Sequence, residues 1–210
     1  MITPRAVAPL LVAALLLAGC MTGERPSFDP DAPPISATGD PNIDAVLERL
    51  DRVRVARFTA EYDVTRRFGE FDSEAVVVQA DNGRRSITIN DVRFLIGDGT
   101  DSTCNLSTAE CGASINDAEV SDSGVTHEFY AASFATRLRV DANRRVGDTT
   151  GYTRDQAGQA ATCVDIPLSG VTKSYCAVDA GPLAHYNGND LLIDLTAITD
   201  VPDETKFESS

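Results

Sequence analysis

The most regular feature of the chain is a period-two alternation of apolar and polar residues, which is typical of antiparallel strands with one buried face. It is clearest over residues 57–65, where the apolar positions are Phe58, Ala60, Tyr62 and Val64. Residues 92–96 predict a further strand. Residues 183–186 and 191–198, separated by Asn187-Gly188, predict a final hairpin. The pattern indicates a sheet built from neighbouring antiparallel strands.

A β-hairpin is predicted around Asn82-Gly83, a dipeptide that favours a two-residue type I′ turn. With these two residues at the centre of the turn, Val78 pairs with Ile87 and Val76 pairs with Ile89. Apolar side chains then oppose one another on a single face, so that register and pattern agree.

A second hairpin is predicted around Ser169-Gly170, because Cys163 and Cys176 lie at equal distances from it. The two cysteines then face each other directly, as a cross-strand disulfide requires. Cys104 and Cys111 flank a short polar segment, which we expect to be an Ω-like loop closed by a disulfide. Four cysteines allow three pairings. The spacing favours Cys104–Cys111 and Cys163–Cys176.

Two helices are predicted. The first begins after Asp40, a suitable N-cap followed by Pro41. Its apolar side chains recur at helical spacing: Ile43, Val46, Leu47, Leu50 and Val53. The second begins at His127 with Thr126 as its cap, and one face carries Tyr130, Phe134 and Leu138. Residues 143–158 are rich in turn-forming residues. The order of helix, meander, helical insertion and meander indicates an α+β fold.

The start of the chain resembles a bacterial lipoprotein leader. Arg5 supplies a positive charge, and residues 6–18 form an apolar run too short to span a bilayer. Leu17-Ala18-Gly19-Cys20 resembles a lipobox. The resemblance implies removal of residues 1–19 and a diacylglyceryl group on Cys20, which would anchor the protein to a membrane. An ordinary secretory signal cleaved near the same place is the alternative.

The remaining chain divides into three parts. Residues 20–40 are rich in proline and glycine, and we expect them to form a flexible tether. Residues 41–200 would form the folded domain. Residues 201–210 form a polar tail that we expect to be loose.

Charge and motifs exclude several functions. A net charge of −14 argues against nucleic acid, which requires a basic surface. A metal centre is not expected, because the chain has no CxxC pair, and His127 and His185 lie outside ligand-like spacing. No G-x-S-x-G motif is present. We therefore expect neither a cofactor nor enzymatic activity, and we interpret both histidines as surface or packing residues.

The last part of the domain carries a family resemblance. It reads Gly158-Gln159-Ala160-Ala161-Thr162-Cys163, then Tyr175-Cys176, then Asp179-Ala180-Gly181-Pro182-Leu183. Together with the lipobox, the first helix and the early strands, this run resembles the lipoprotein carrier superfamily, in its LolA-like and membrane-anchored LppX-like branch. The resemblance implies a strongly curved, unclosed antiparallel sheet (a half-barrel) with helices on its concave side. The segment 104–111 has no counterpart in it.

The same resemblance implies that an apolar space between sheet and helices binds a lipid, an acyl chain or a lipidated partner. The residues expected to line this cavity are Phe58, Tyr62, Val76, Val78, Ile87, Ile89, Phe134 and Leu138. For each of them, simple core packing is the alternative. We expect an extracytoplasmic protein anchored to the cell membrane or outer membrane through Cys20. A tethered interaction module that binds another envelope protein and has no cavity is the alternative function.

Overall fold

An antiparallel sheet of eleven strands and two α-helices account for most of the described residues, which are 37–97, 99 and 101–208 of this computed structural model. The strands are β1 (Phe58–Arg66), β2 (Phe71–Gln79), β3 (Arg85–Ile89), β4 (Val92–Ile96), β5 (Ser102–Asn105), β6 (Glu110–Ala113), β7 (Thr150–Gln156), β8 (Gln159–Leu168), β9 (Val171–Val178), β10 (Leu183–Asn187) and β11 (Leu191–Thr199). The leader, Cys20 and most of the tether lie outside the described residues and remain predictions.

The sheet is not closed into a barrel. Its strand order is β6-β5-β4-β3-β2-β1-β11-β10-β9-β8-β7, so that β6 and β7 form its two edges. The chain thus builds one arm outward from β1 to the edge strand β6. It then crosses to the opposite edge and builds the other arm inward from β7 to β11, which pairs with β1. The predicted fold class, an α+β unclosed half-barrel, is confirmed.

Helix α1 (Pro41–Arg52) begins where the sequence predicts. The Asp40 side chain accepts hydrogen bonds from the backbone N–H groups of Asn42 and Ile43, which would otherwise lack partners at a helix start. The apolar stripe of the helix is buried on the sheet arm that contains β8 and β9. We call the sheet face toward the helices the inner face and the opposite one the outer face.

Helix α2 (Ala132–Arg144) begins five residues later than predicted. Asp117 holds His127 by two contacts, since its carboxylate accepts from the His127 backbone N–H at 3.0 Å and lies 2.9 Å from ring Nδ1. Residues 127–131 therefore form a turn, and Tyr130 lies outside the helix. Phe134 and Leu138 do lie on the buried face of α2, as predicted.

The predicted register of the β2–β3 hairpin is wrong by one residue. Val77 pairs with Ile87, while Val76 pairs with Thr88 and Val78 with Ser86. The connection contains three residues, because Ala80 pairs with Arg84 through a backbone hydrogen bond, and a one-residue change moves each side chain to the other face. Because residues 76–78 are all valine, the sequence pattern fits either register.

The β8–β9 hairpin has the predicted register, with Cys163 opposite Cys176 and a disulfide between them. The Cys104–Cys111 disulfide is also present. Its setting differs from the expected Ω-like loop, because the two cysteines are directly opposed in the short β5–β6 hairpin. Strand β7, in the turn-rich segment, was not predicted at all.

The C-terminal segment is not loose within the described residues. We call residues 201–208 the strap, because they lie across the outer face of β1, β3 and β4. Thr59 of β1 bonds the strap at two main-chain groups, and Ser86 of β3 bonds it further along. Val78 of β2 is fully buried on this covered face. Polar composition alone does not reveal these contacts, since the sheet supplies the partners.

Candidate binding site: a cleft between the helices and the β2–β3 hairpin

The inner face of the half-barrel is filled by the protein's own side chains. Six of the eight predicted cavity residues are at most 3 % exposed and belong to the core: Phe58, Tyr62, Ile87, Ile89, Phe134 and Leu138. Their rings pack edge-on against neighbouring rings, with centroids 5.1 Å apart for Tyr62 and Phe129 and 4.7 Å apart for Phe134 and Tyr186. At these positions core packing replaces the expected cavity.

The other two predicted cavity residues, Val76 and Val78, lie on the outer face. Their placement there follows from the register of the β2–β3 hairpin. The prediction for these two residues is wrong because the loop contains one more residue than predicted. Since side chains of a strand alternate between two faces, this places both valines on the opposite face.

A cleft of about 410 Å³ opens at the rim of the filled interior. It lies between the end of α1, the start of α2 and the β2–β3 hairpin. Its apolar lining consists of Leu50, Val53, Ala131, Ala132 and Ala135. The three alanines keep the start of α2 small, so that the cleft remains open beside the helix. None of the eight predicted cavity residues lines it.

Gln79 fixes the floor of the cleft. Its side chain is buried, and its amide nitrogen donates to the carbonyl oxygens of Val53 and Ala56 at the end of α1. Its Oε1 accepts a hydrogen bond from the Tyr130 hydroxyl at 3.3 Å. One amide therefore holds three segments that are far apart in sequence, and removing it would leave buried polar groups unpaired.

Tyr130 is a neutral hydrogen-bond donor in this network. Burial raises the pKa of its hydroxyl, and the nearby Arg85 offsets part of that effect. Tyr62, deeper in the core, has a pKa raised well above its usual value by burial and then by Tyr130. Its hydroxyl has no hydrogen-bond partner among the described residues. Both phenols stay protonated at physiological pH, so neither supplies a base.

The rim of the cleft carries more positive than negative side chains. Arg139 pairs with Asp51 at 2.9 Å, and Arg85 lies 4.0 Å from Glu128. Arg54 is exposed and makes no ion pair with another described residue. The Arg139 Nε is buried and lacks a partner among the described residues. On a chain of net charge −14, this rim is a local positive region suited to a carboxylate or another anionic group.

The two histidines have structural partners and lie apart in the fold. His127 bonds Asp117 and lies beside Phe94 on the inner side, whereas His185 bonds Asp194 at 2.7 Å on the outer face. Among the described residues, no group of three His, Cys, Asp or Glu side chains is placed to hold a metal ion. Within the same residues, no helix is both long and apolar enough to cross a membrane.

The sequence did not reveal the cleft, because its parts are distant along the chain. Arg54 and Arg139 follow or occupy helices, where isolated charges are common and carry no signal. Gln79 and Tyr130 are 51 residues apart and meet only in the folded protein. The pair of small residues at the start of α2, Ala131-Ala132, is visible in the sequence, but alanine is common in helices that have no cleft beside them.

Several solved structures are similar to this chain at low sequence identity. A chain of the MucA/MucB complex from Pseudomonas aeruginosa matches with a TM-score of 0.52 and 14 % identity, over 80 % of the present chain and 61 % of that chain. LprF from Mycobacterium bovis matches with a TM-score of 0.41 and 11 % identity, over 78 % and 94 % of the two chains. A LolA superfamily protein from Nitrosomonas europaea matches with a TM-score of 0.37 and 11 % identity, over 79 % and 97 %.

No protein-family model and no curated protein matches this sequence. The chain spans 61 % of the length of the chain from the MucA/MucB complex, so it corresponds to part of that protein. Identities of this size report on the fold and on nothing beyond it. At that level the predicted half-barrel fold is confirmed, and the chain shares it with the chain of the MucA/MucB complex.

Proposed function

We propose that this protein is a membrane-tethered, extracytoplasmic adaptor that binds a segment of an envelope protein in the cleft between α1, α2 and the β2–β3 hairpin. The observation that supports this most directly is the filled inner face. A carrier that encloses a whole lipid needs an empty interior, whereas here Phe58, Tyr62 and Leu138 are fully packed. At the rim lies a cleft of about 410 Å³, large enough for one apolar side chain and its neighbours.

The chemistry of the cleft defines the segment that would fit. The apolar lining with its three alanines accommodates an apolar group, and burial of that group would supply most of the binding free energy. The arginines of the rim favour acidic residues on either side of that group, and Arg54 has no ion pair with a described residue to break first. We therefore expect an aliphatic side chain flanked by aspartate or glutamate.

A fold neighbour is consistent with a protein partner. The structure with a TM-score of 0.52 is that of a complex between MucA and MucB. Its likeness to the present chain concerns the fold, so it supports the proposal only by showing that a half-barrel of this kind occurs in a protein complex.

The tether rests on the lipobox. Two disulfides are typical of proteins in an oxidising compartment, which supports a location outside the cytoplasm. Changing Cys20→Ala should release the protein into the soluble fraction without changing its melting temperature, because Cys20 lies outside the domain predicted over residues 41–200. Membrane fractionation and thermal unfolding check this, and continued membrane attachment would contradict the anchor.

The binding experiment uses the full chain in detergent and two labelled peptides. One peptide carries a leucine between acidic residues, and the other carries the same leucine between lysines. Fluorescence anisotropy should show binding of the acidic peptide only. Arg54→Glu reverses a charge on the rim and should abolish that binding. Arg144→Glu reverses another exposed charge, at the far end of α2 and outside the cleft lining, and should leave the binding intact.

A second candidate function is binding of a single acyl chain with an anionic headgroup. The same alanine lining and the arginines of the rim favour it. Native mass spectrometry of the full chain extracted from membranes would show a bound lipid, and a fatty-acid probe would then displace the peptide. Lipid binding without peptide binding favours this second function, and binding of neither ligand refutes the cleft as a binding site.

A further inference from the structure

The strap is held mainly through its main chain. At its start, Thr59 donates from Oγ1 to the carbonyl oxygen of Val201 at 2.9 Å and accepts from the backbone N–H of Asp203 at 2.8 Å. A single hydroxyl thus satisfies two main-chain groups of a segment that has no strand partner of its own among the described residues. The contact places the strap over β1.

Two further strands hold the rest of the strap. Ser86 of β3 donates to the carbonyl oxygen of Lys206 at 2.6 Å. Arg93 of β4 donates from Nη1 to the carbonyl oxygen of Glu208 at 3.0 Å. The strap therefore runs across the strands of one sheet arm, on the face opposite the cleft.

These contacts are of the kind that opens locally. Among the strap residues only Pro202 is buried, and the others are exposed or half-buried. Ion pairs at exposed positions contribute little to stability, and segments with few buried apolar contacts are released without unfolding of the domain. Release of the strap should therefore leave the eleven-stranded sheet folded.

Arg84 connects the strap with the cleft. Its guanidinium pairs with the Glu204 carboxylate and lies 4.3 Å from the centre of the Phe207 ring. The residues on either side of it, Gly83 and Arg85, line the cleft. Because successive side chains of a strand point to opposite faces, one short stretch is held by the strap on one face and forms the cleft wall on the other.

Arg85 belongs both to that cleft wall and to the positive side chains of the rim. It lies 4.0 Å from Glu128 and beside the Tyr130 hydroxyl. A shift of the hairpin tip would therefore change both the width of the cleft and the position of one of its positive charges.

We propose that the strap is a detachable brace that holds the cleft wall in place, so that its release changes how the cleft binds. The second half of this statement rests on the proposed function, because it takes the cleft as the binding site. The first half concerns the protein alone and is tested without any ligand.

The test compares two variants of the full chain. Glu204→Gln combined with Phe207→Ala removes both of these contacts to Arg84, and Glu204→Gln alone serves as a milder variant if the double variant folds poorly. Asp200→Asn removes an equal charge from an exposed residue just before the strap and is the control. Hydrogen exchange measured by mass spectrometry follows residues 83–86, and anisotropy follows the labelled acidic peptide.

We expect several-fold faster exchange at residues 83–86 and a several-fold change in peptide affinity in the double variant, with neither change in Asp200→Asn. Faster exchange in the strap with unchanged exchange at residues 83–86 would overturn the proposal. Faster exchange at residues 83–86 in a protein that binds no peptide at all would support the brace and refute the cleft as a peptide site.

Discussion

The β5–β6 and β8–β9 hairpins both carry a disulfide between directly opposed cysteines. Strands β8 and β9 are ten and eight residues long, lie inside the sheet and bury both cysteines. Strands β5 and β6 have four residues each, and all of β6 at the sheet edge is exposed. The pairing of the cysteines is thus a local property of each hairpin. How much the disulfide stabilises the protein depends on how deeply its hairpin is buried in the sheet.

Helices α1 and α2 pack on the inner face of β8–β9, opposite the face that carries the disulfide, and α2 adds a polar clamp there. The Asp141 carboxylate, 3 % exposed in α2, accepts from Lys173 Nζ at 2.8 Å and from the Tyr175 hydroxyl. Burial is the main cause that raises the pKa of the Tyr175 hydroxyl, so the phenol keeps its proton and donates it to this bond. Neither of the two described α-helices covers the β5–β6 hairpin, and its outward groups meet solvent.

The clamp should therefore give the largest effect. Asp141→Ala leaves the Lys173 ammonium and the Tyr175 hydroxyl without their partner, and the loss of a buried ion-pair partner destabilises by about 3–5 kcal/mol. Urea unfolding followed by circular dichroism measures it. Asp179→Ala, which removes a largely exposed partner of Arg49, should cost about 1 kcal/mol or less. Equal losses in the two variants would contradict the clamp.

Removal of the two disulfides should give the next largest loss of stability. The double change of Cys163 and Cys176 to Ala should cost about 3 kcal/mol, because the unfolded chain loses a constraint across 13 residues. The double change of Cys104 and Cys111 to Ala should cost about 2 kcal/mol or less, since its loop spans seven residues and an edge hairpin opens locally. Thermal unfolding of both double variants checks the order, and the reverse order would refute the comparison.

Reduction kinetics should separate the same two bridges without mutation. Cys111 is exposed, whereas Cys163 and Cys176 are fully buried, and thiol exchange requires access to a sulfur atom. A mild thiol reductant should therefore open Cys104–Cys111 first in the native protein. Alkylation at timed intervals and peptide mass spectrometry give the order. Simultaneous reduction would mean that the β8–β9 hairpin opens as readily as the edge hairpin.

We expect the smallest effect in the dependence of stability on acidic pH. On the outer face, His185 lies opposite Cys176 on one neighbouring strand and opposite Asp194 on the other. The hydrogen bond from His185 is the main cause that lowers the pKa of Asp194. A lowered folded-state pKa means stability that is present above the ordinary value of about 4 and lost as the pH falls through the folded value. Asp194→Asn should flatten the dependence of unfolding free energy on pH below about pH 4.

Urea unfolding between pH 3 and pH 6 would show this flattening. Some acid dependence should remain in the variant, because Asp190 also has a lowered pKa. Burial, the largest single cause, raises that pKa, but the hydrogen bond and the positive charge of Arg137, with smaller contributions, together outweigh it. An unchanged profile would remove Asp194 from the acid response.

The interior of the half-barrel shows how far sequence reasoning extends. The alternation in β1 correctly identified Phe58 and Tyr62 as residues of the inner face, and the helical spacing correctly placed Phe134 and Leu138 on the buried face of α2. Whether these side chains line an empty space or fill it depends on the distance between sheet and helices. Many packing contacts together determine that distance, so it cannot be inferred from the pattern of any one segment.

The sequence by itself determined the elements whose signals are local: the capped start of α1, the alternating strand β1 and the turn that places Cys163 opposite Cys176. Capping, alternation and hairpin turns depend on neighbouring residues, so they can be inferred one segment at a time. The tertiary structure alone decided the one-residue shift of the β2–β3 hairpin, the filled interior, the cleft and the position of the strap on the outer face of the sheet. These depend on partners such as Thr59 with Asp203, 144 residues apart, which meet only when the sheet has formed.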